Sequence, residues 1–226
     1  MMFKSVFFAL EQAQFNHDII HKVNTESRAL SVAYERLLKK EKINCNFTRL
    51  VITGVKDTEV VINQGVNTAN ILSLSISFDE QKYMAFQTIR QRQEYLYTLF
   101  EAVFSKLTSE MEVNLKPFIL ETKLAANFSQ KVIEEFRENN YQTTYLLKRK
   151  KITAINRFCE VWVHFTEKEC NLKLRIMDKK NVMEERVIYT TDPYLVAFQF
   201  PFSNVEVTNR TIQITGARNG LLKIDL

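Results

Sequence analysis

Two histidines near the N-terminus have the spacing of a metal site. On a helix His17 and His21 would share one face, like the paired ligands of HExxH zinc enzymes. Asp18 takes the position of the general base. In those enzymes this residue is a glutamate, whose side chain is longer by one methylene. No third ligand follows at a characteristic spacing, and the remaining histidine, His164, falls in a predicted strand. A metal-dependent enzyme therefore ranks third among the possible functions, and we expect two partly exposed histidines.

Other catalytic arrangements find little support. Cys159 and His164 differ by an odd number of positions on one predicted strand, so their side chains should point to opposite faces. The sequence has no Walker A, GxGxxG or GxSxG motif, and it has only four glycines. Neighbouring carboxylates such as Glu134 and Glu135 diverge and cannot flank one substrate bond. We predict a protein without a cofactor and, on balance, without catalytic activity.

A basic run is the strongest indication of a binding partner. Lys148-Arg149-Lys150-Lys151 lies in a predicted strand, where alternation allows about half of its side chains on one surface. Trp162, in the next predicted strand, belongs to a residue type enriched at interface hot spots. Arg90 and Arg92 form a second basic cluster. The alternative for both clusters is a solvated charged edge, which also discourages strand-to-strand aggregation.

The excess positive charge lies in one half of the chain. The net charge is +5, and the residues from Tyr141 onward include 14 Lys and Arg against 9 Asp and Glu. The remainder is balanced. This asymmetry suits an acidic partner, although it is milder than in most dedicated nucleic-acid-binding proteins.

The N-terminal half shows helical and strand periodicities together. Its first ten residues are apolar and fit either a strand or the start of a helix. Apolar side chains at helical spacing predict three helices, and alternating runs predict three strands that form a small sheet. The predicted helices are Thr25–Lys42, Thr88–Thr108 and Leu124–Asn139, and the predicted strands are Thr48–Val55, Glu59–Asn63 and Asn70–Phe78.

After residue 140 the period changes from helical to two. Short strands separated by turn residues predict an antiparallel β-meander, as a curved sheet or partial barrel. We expect an α+β protein with a mixed half, residues 1–140, and an antiparallel half, residues 141–226, packed together as one unit. The predicted strands are Thr143–Lys150, Ile155–Phe165, Leu172–Met177, Val182–Tyr189, Tyr194–Phe200, Asn204–Val207, Thr211–Thr215 and Leu221–Asp225.

The cysteines and the hydropathy of the sequence indicate the cellular compartment of the protein. Cys45, Cys159 and Cys170 are odd in number and form no CxxC pair, which favours reduced, buried thiols in the cytoplasm. Cys159 and Cys170 could still face each other across a hairpin. No run approaches the ~18–20 apolar residues of a membrane span, and the apolar run Ser5–Leu10 is too short for a signal peptide. We therefore predict a cytoplasmic protein that does not bind membranes.

One segment carries a resemblance. Phe78-Asp79-Glu80-Gln81-Lys82-Tyr83 continues to Arg92-Gln93-Glu94-Tyr95-Leu96-Tyr97, a strand ending in Phe-Asp followed by a helix rich in charged residues and tyrosine. This order resembles small bacterial proteins, among them immunity proteins of toxin systems. The resemblance implies a binding or neutralising role rather than a reaction.

These signals favour a non-enzymatic, intracellular protein-binding module, toxin-neutralising or part of a bacterial defence system. We expect an acidic protein partner. The alternative is a nucleic-acid-binding protein, with the basic strand on phosphates and Tyr145 or Phe158 stacking on bases. The residues predicted to bind the partner are Lys148, Arg149, Lys150, Lys151 and Trp162.

Overall fold

The chain divides into two compact units, residues 1–142 and 143–226. The computed structural model describes residues 5–42, 45–57, 59–112, 127–193, 204–208, 211–215 and 221–225. The first unit combines helices with a mostly parallel sheet, and the second is antiparallel, so the predicted α+β class is confirmed. None of the described helices is long and apolar enough to cross a membrane.

A four-stranded sheet forms the centre of the first unit. Its strands are β1 (Ser5–Leu10), β2 (Arg49–Val55), β3 (Val61–Val66) and β4 (Ile71–Ser77), in the order β1-β2-β4-β3. β1 and β4 both run parallel to β2, whereas β3 runs antiparallel to β4. Helix α1 (His17–Lys40) makes the crossover from β1 to β2 that a parallel pair requires.

The register of these strands builds the core in rows. Val6 lies opposite Leu50, which lies opposite Leu72, and all three are buried. Two rows further along the strands, Gly54 lies opposite Leu10. A Cβ atom at Gly54 would come within 2.6 Å of Leu10 Cδ2 and 3.1 Å of Phe78 Cβ, so glycine leaves room for the packing of its neighbours.

Three further helices complete the described part of the first unit: α2 (Glu80–Ala85), α3 (Ile89–Glu112) and α4 (Phe128–Glu138). α1 begins at His17 rather than at the predicted Thr25, because the Asn16 side chain caps it by accepting a hydrogen bond from the Ile19 amide at 2.9 Å. α2 is absent from the sequence prediction because six residues are too few to show a helical period.

An aromatic cluster joins helices and sheet. The Tyr34 ring of α1 stacks on Phe104 and Phe100 of α3, with ring centres 4.6 and 5.0 Å apart. Phe100 in turn stacks on Phe8 of β1 at 5.8 Å. The high phenylalanine content of the sequence therefore serves a continuous aromatic core.

The second unit is built from antiparallel strands, as predicted. One sheet contains β5 (Thr143–Ile152), β6 (Arg157–Phe165), β7 (Cys170–Asp178) and β8 (Asn181–Thr191), in chain order, and a 3₁₀ turn at Thr153–Ile155 joins β5 to β6. A second sheet contains β9 (Asn204–Val207), β10 (Thr211–Thr215) and β11 (Leu221–Asp225). The predicted strand Tyr194–Phe200 lies outside the described residues. The curved or barrel-like form and the packing of the two halves remain predictions.

All three cysteines are buried free thiols. Cys159 lies opposite Ile176, whereas Cys170 lies opposite Phe165. The two cysteines therefore occupy opposite ends of the β6–β7 hairpin, and the idea that they face each other is wrong.

Candidate partner-binding face

The basic run divides between the two faces of the β5–β8 sheet. Arg149 pairs with Glu160 and Lys151 with Phe158, on the face that carries Trp162. Lys148 and Lys150 pair with Val161 and Cys159, on the opposite face. All four basic residues are exposed. We call the first of these surfaces the Trp162 face.

Four cross-strand rows make up the Trp162 face, each taking one residue from every strand. Two rows are dominated by polar groups, and two combine basic with apolar or aromatic groups. From β5 to β8 the rows are Thr144–His164–Asn171–Thr190, Leu146–Trp162–Lys173–Val187, Arg149–Glu160–Arg175–Glu185 and Lys151–Phe158–Met177–Val182.

The third row alternates in charge across the whole sheet. Arg149 Nε lies 3.4 Å from Glu160 Oε1, and Arg175 Nε is hydrogen-bonded to Glu185. Glu160 is only 6% exposed. The hydrogen bond from Arg175 lowers the pKa of Glu185, so this carboxyl is ionised at neutral pH. Directly opposed unlike charges on one sheet face stabilise the strand pairing.

The two arginines of this row also cover aromatic rings. The guanidinium carbon of Arg149 lies 4.4 Å from the centre of the Phe158 ring, and that of Arg175 lies 4.9 Å from the Trp162 ring. Trp162 Nε1 donates a hydrogen bond of 2.8 Å to Glu160 Oε2. Each aromatic ring is thus held between a cation and the sheet, which fixes its orientation.

Exposed apolar side chains stand at both edges of the Trp162 face. Leu146 on β5 is 40% exposed, while Val182 and Val187 on β8 are 49% and 52% exposed. Leu146 and Val187 end the row that contains Trp162. The face therefore combines charge with apolar surface, as the interaction sites of proteins commonly do.

Cys159 and His164 lie on opposite faces of this sheet. Cys159 lies on the buried face, where burial raises the pKa of its thiol to about 11. His164 lies on the Trp162 face, where its Nδ1 is 2.7 Å from Thr144 Oγ1 and burial lowers its pKa. The sequence prediction that these two side chains point to opposite faces is confirmed.

The histidine pair lies at the start of α1. The rings of His17 and His21 are 6.5 Å apart and nearly parallel, and the side chains of His17 and Asp18 are fully accessible to solvent. Across the described ranges, no group of three or more His, Cys, Asp or Glu side chains could hold a metal ion. The described residues therefore supply no third metal ligand to the histidine pair.

The second basic cluster is not a single surface. Arg92 is largely buried, and its Nε lies 2.8 Å from Glu26 Oε2. Its neighbour Arg90 is exposed. Arg92 therefore serves the core of the first unit and is not available to a partner.

The partners of the basic run on β7 and β8 were not predicted from the sequence. Arg175 and Glu185 complete the charged row, and Lys173 lies between Trp162 and Val187. Two register shifts in the β7–β8 pair, one of them between Leu172 and Lys173, change which residues face each other. The turn residues in the sequence predict a hairpin, but they do not predict these register shifts.

Compared with known proteins, the chain gives no significant match to a family model, a curated protein or a solved structure.

Proposed function

We propose that this chain is a non-enzymatic protein-binding module that holds an acidic protein surface on its Trp162 face. The observation that carries the proposal is the Arg149–Glu160–Arg175–Glu185 row, whose two arginines stack on Phe158 and Trp162. Arginine and tryptophan are the residue types most often found as interface hot spots.

Preorganisation supports this role. The arginine side chains already lie against aromatic rings on a regular four-stranded sheet, so binding would order few additional rotamers. Immobilising a long side chain costs roughly 0.5–1.5 kcal/mol. Because these side chains are already ordered in the folded protein, binding would lose less free energy to side-chain ordering.

Charge favours an acidic partner. The face holds four cations and two carboxylates: Arg149, Lys151, Lys173 and Arg175, with Glu160 and Glu185. Lys151 has no carboxylate within ion-pair distance among the residues that the structure describes. Unlike charges across an interface raise the association rate and disfavour wrong partners. The resemblance of the segment from Phe78 to Tyr97 suggests a toxin or another component of a bacterial defence system as the partner.

Nucleic-acid binding is less well supported by the same face. Tyr145 lies opposite Val163 on the other face of the sheet, so it cannot act together with Phe158. The Phe158 ring is already covered by Arg149. A base would have to displace this guanidinium before it could stack.

The divided basic run offers a matched test. Arg149→Glu with Lys151→Glu changes the Trp162 face, whereas Lys148→Glu with Lys150→Glu makes the same change of charge on the same strand but on the opposite face. Each variant would be used to capture partners from the native cells, with and without nuclease. We expect the first variant to lose its protein partner, with an affinity at least about tenfold lower, and the second to retain it.

A second variant covers the possibility that loss of Arg149 unfolds the sheet by leaving Glu160 without its cation. Lys151→Glu with Val187→Glu changes two exposed side chains that take part in none of the described ion pairs. It should also weaken the complex. Equal binding by the variants of both faces, or partners that disappear with nuclease, would contradict the proposal.

A further inference from the structure

The first unit has an open cleft formed by α2, α3 and the C-terminal end of α4. Its volume is about 490 Å³, and the residues that line it include Lys82, Phe86, Arg90, Tyr95, Tyr97 and Arg137. This volume lies within the range of roughly 300–1,000 Å³ typical of small-ligand sites. The cleft shares no residue with the Trp162 face.

Aromatic rings provide the apolar part of the cleft. The Phe86 and Tyr95 rings are 5.9 Å apart and tilted. The Tyr95 hydroxyl oxygen accepts a hydrogen bond of 2.8 Å from the Asp79 amide, and the Tyr97 hydroxyl donates one of 3.1 Å to Glu101. Both hydroxyl groups therefore have protein partners. Both tyrosines are 8% exposed, whereas Phe86 is half-buried, so Phe86 is the most exposed of the three rings in the cleft lining.

Two cations of the cleft have no carboxylate partner among the residues that the structure describes. Lys82 Nζ lies 5.5 Å from the centre of the Tyr95 ring, and Arg90 Cζ lies 6.0 Å from the Tyr141 ring. Within the described parts of the chain, neither has a carboxylate within ion-pair distance. Exposed cations above aromatic rings form a site at which an anion can be neutralised.

The carboxylate in the cleft is already neutralised. Glu94 accepts hydrogen bonds from Arg137 Nε at 2.8 Å, Arg137 Nη2 at 2.5 Å and the Tyr141 hydroxyl at 2.7 Å. The bonds from Arg137 lower the pKa of Glu94. Because this bidentate pair cancels its own charge, Lys82 and Arg90 leave the cleft with a positive excess.

Backbone strain occurs at Tyr141, which contacts the cleft residues Glu94 and Arg90. Tyr141 has φ 60° and follows Asn140 with φ 53°, so a bulky residue adopts the left-handed conformation. The Tyr141 amide closes the end of α4 by donating to the Phe136 carbonyl at 2.8 Å. Strained residues that the surrounding structure holds in place are concentrated at binding sites.

We propose that this cleft binds an aromatic carboxylate, a ligand in which an aromatic ring lies close to a carboxylate. The flat ring of the ligand packs against Phe86 and Tyr95, and its carboxylate pairs with Lys82 and Arg90. A free aromatic acid and the C-terminal aromatic residue of a peptide both present an aromatic ring close to a carboxylate. This proposal does not depend on the Trp162 face or on its partner.

Matched probes test the proposal on the full chain. 2-Naphthoate and its neutral amide, 2-naphthamide, differ only in the charged group. Calorimetric titration should show 2-naphthoate binding at least about tenfold more tightly. Lys82→Gln with Arg90→Gln should abolish this preference. Lys131→Gln with Lys148→Gln, which removes two exposed cations outside the cleft lining, should preserve it.

Two peptides distinguish the sources of the carboxylate. N-acetyl-Gly-Gly-Phe with a free C-terminus should bind more tightly than 2-naphthoate if the natural ligand is a protein C-terminus, and less tightly if it is a small molecule. The C-terminal amide of the same peptide is its control. Absence of binding by both acids, equal affinities for acid and amide, or a preference that survives in the Lys82/Arg90 variant would overturn the proposal.

Discussion

Arg149 and Phe158 lie on neighbouring strands, with the guanidinium carbon 4.4 Å from the centre of the ring. The same guanidinium reaches the buried carboxylate of Glu160 at 3.4 Å. One cation therefore satisfies a buried acid and covers an aromatic ring. This double contact orders the basic side chain of Arg149 on the Trp162 face.

Trp162 links the aromatic and charged parts of this face. Trp162→Phe removes the indole donor to Glu160 Oε2 and leaves one oxygen of a buried carboxylate without that bond. An unsatisfied buried acceptor costs about 1–3 kcal/mol. We expect the free energy of unfolding to fall by that amount in urea titrations followed by circular dichroism. Val187→Ala, an exposed change on the same face, serves as the control, and an equal stability of Trp162→Phe and this control would contradict the role of the indole.

A buried ionic cluster stabilises the first unit. Glu26 is 8% exposed and is bonded to Arg92 and to the Tyr83 hydroxyl, whose pKa is raised by burial so that it remains a donor. Arg92→Met would leave this carboxylate without its cation, which costs about 3–5 kcal/mol.

The neighbour of Arg92 provides the control. Arg90→Met changes the same type of residue one half-turn away at an exposed position, and it should leave the thermal midpoint nearly unchanged. Similar effects of the two substitutions would show that the buried pair contributes little.

Gly54 is required by packing rather than by backbone conformation. Gly54→Ala brings a methyl group within 2.6 Å of Leu10 Cδ2, so the side chains of a filled row must shift. Overpacking of this kind costs about 1–3 kcal/mol. Chemical denaturation should show this loss, with Ser77→Ala on the exposed end of β4 as the control. A neutral effect of Gly54→Ala would mean that the row is loosely packed.

The cysteines should be unreactive in the folded protein. All three are buried, and burial raises the pKa of Cys159 to about 11, so this thiol stays protonated at pH 8. We expect Ellman's reagent to label no thiol in the native state and all three in denaturant. Rapid labelling of Cys159 in native protein would indicate local opening of the β5–β8 sheet.

Much of the fold could be predicted because periodicity reports burial directly. The alternation from Ile71 to Ser77 appears in the structure as one buried and one partly exposed face, and the change of period after residue 140 marks the start of the antiparallel strands. The start of α1 was missed because Asn24 and Thr25 are typical N-cap residue types, yet both are buried within the helix. Their burial depends on tertiary packing, which a local pattern does not contain.

The candidate site could be predicted only in part. Strict alternation would place Leu146 and Lys148 on the same face, but a register shift between them puts Leu146 opposite Trp162 and Lys148 opposite Val161. This irregularity decides that Arg149 and Lys151, rather than Lys148 and Lys150, join Trp162. A bulge of this kind is set by pairing across strands, so the sequence of one strand cannot reveal it.

The most direct test of the Trp162 face is site-specific photo-crosslinking in the native cells. A benzoylphenylalanine at Val187 would lie on this face, whereas one at Glu184 would lie on the same strand but on the opposite face, and both positions are exposed. We predict a discrete, nuclease-resistant crosslink to an acidic protein from position 187 and none from position 184. A crosslink from position 184 alone, or a product that nuclease removes, would contradict the proposal that the Trp162 face binds an acidic protein.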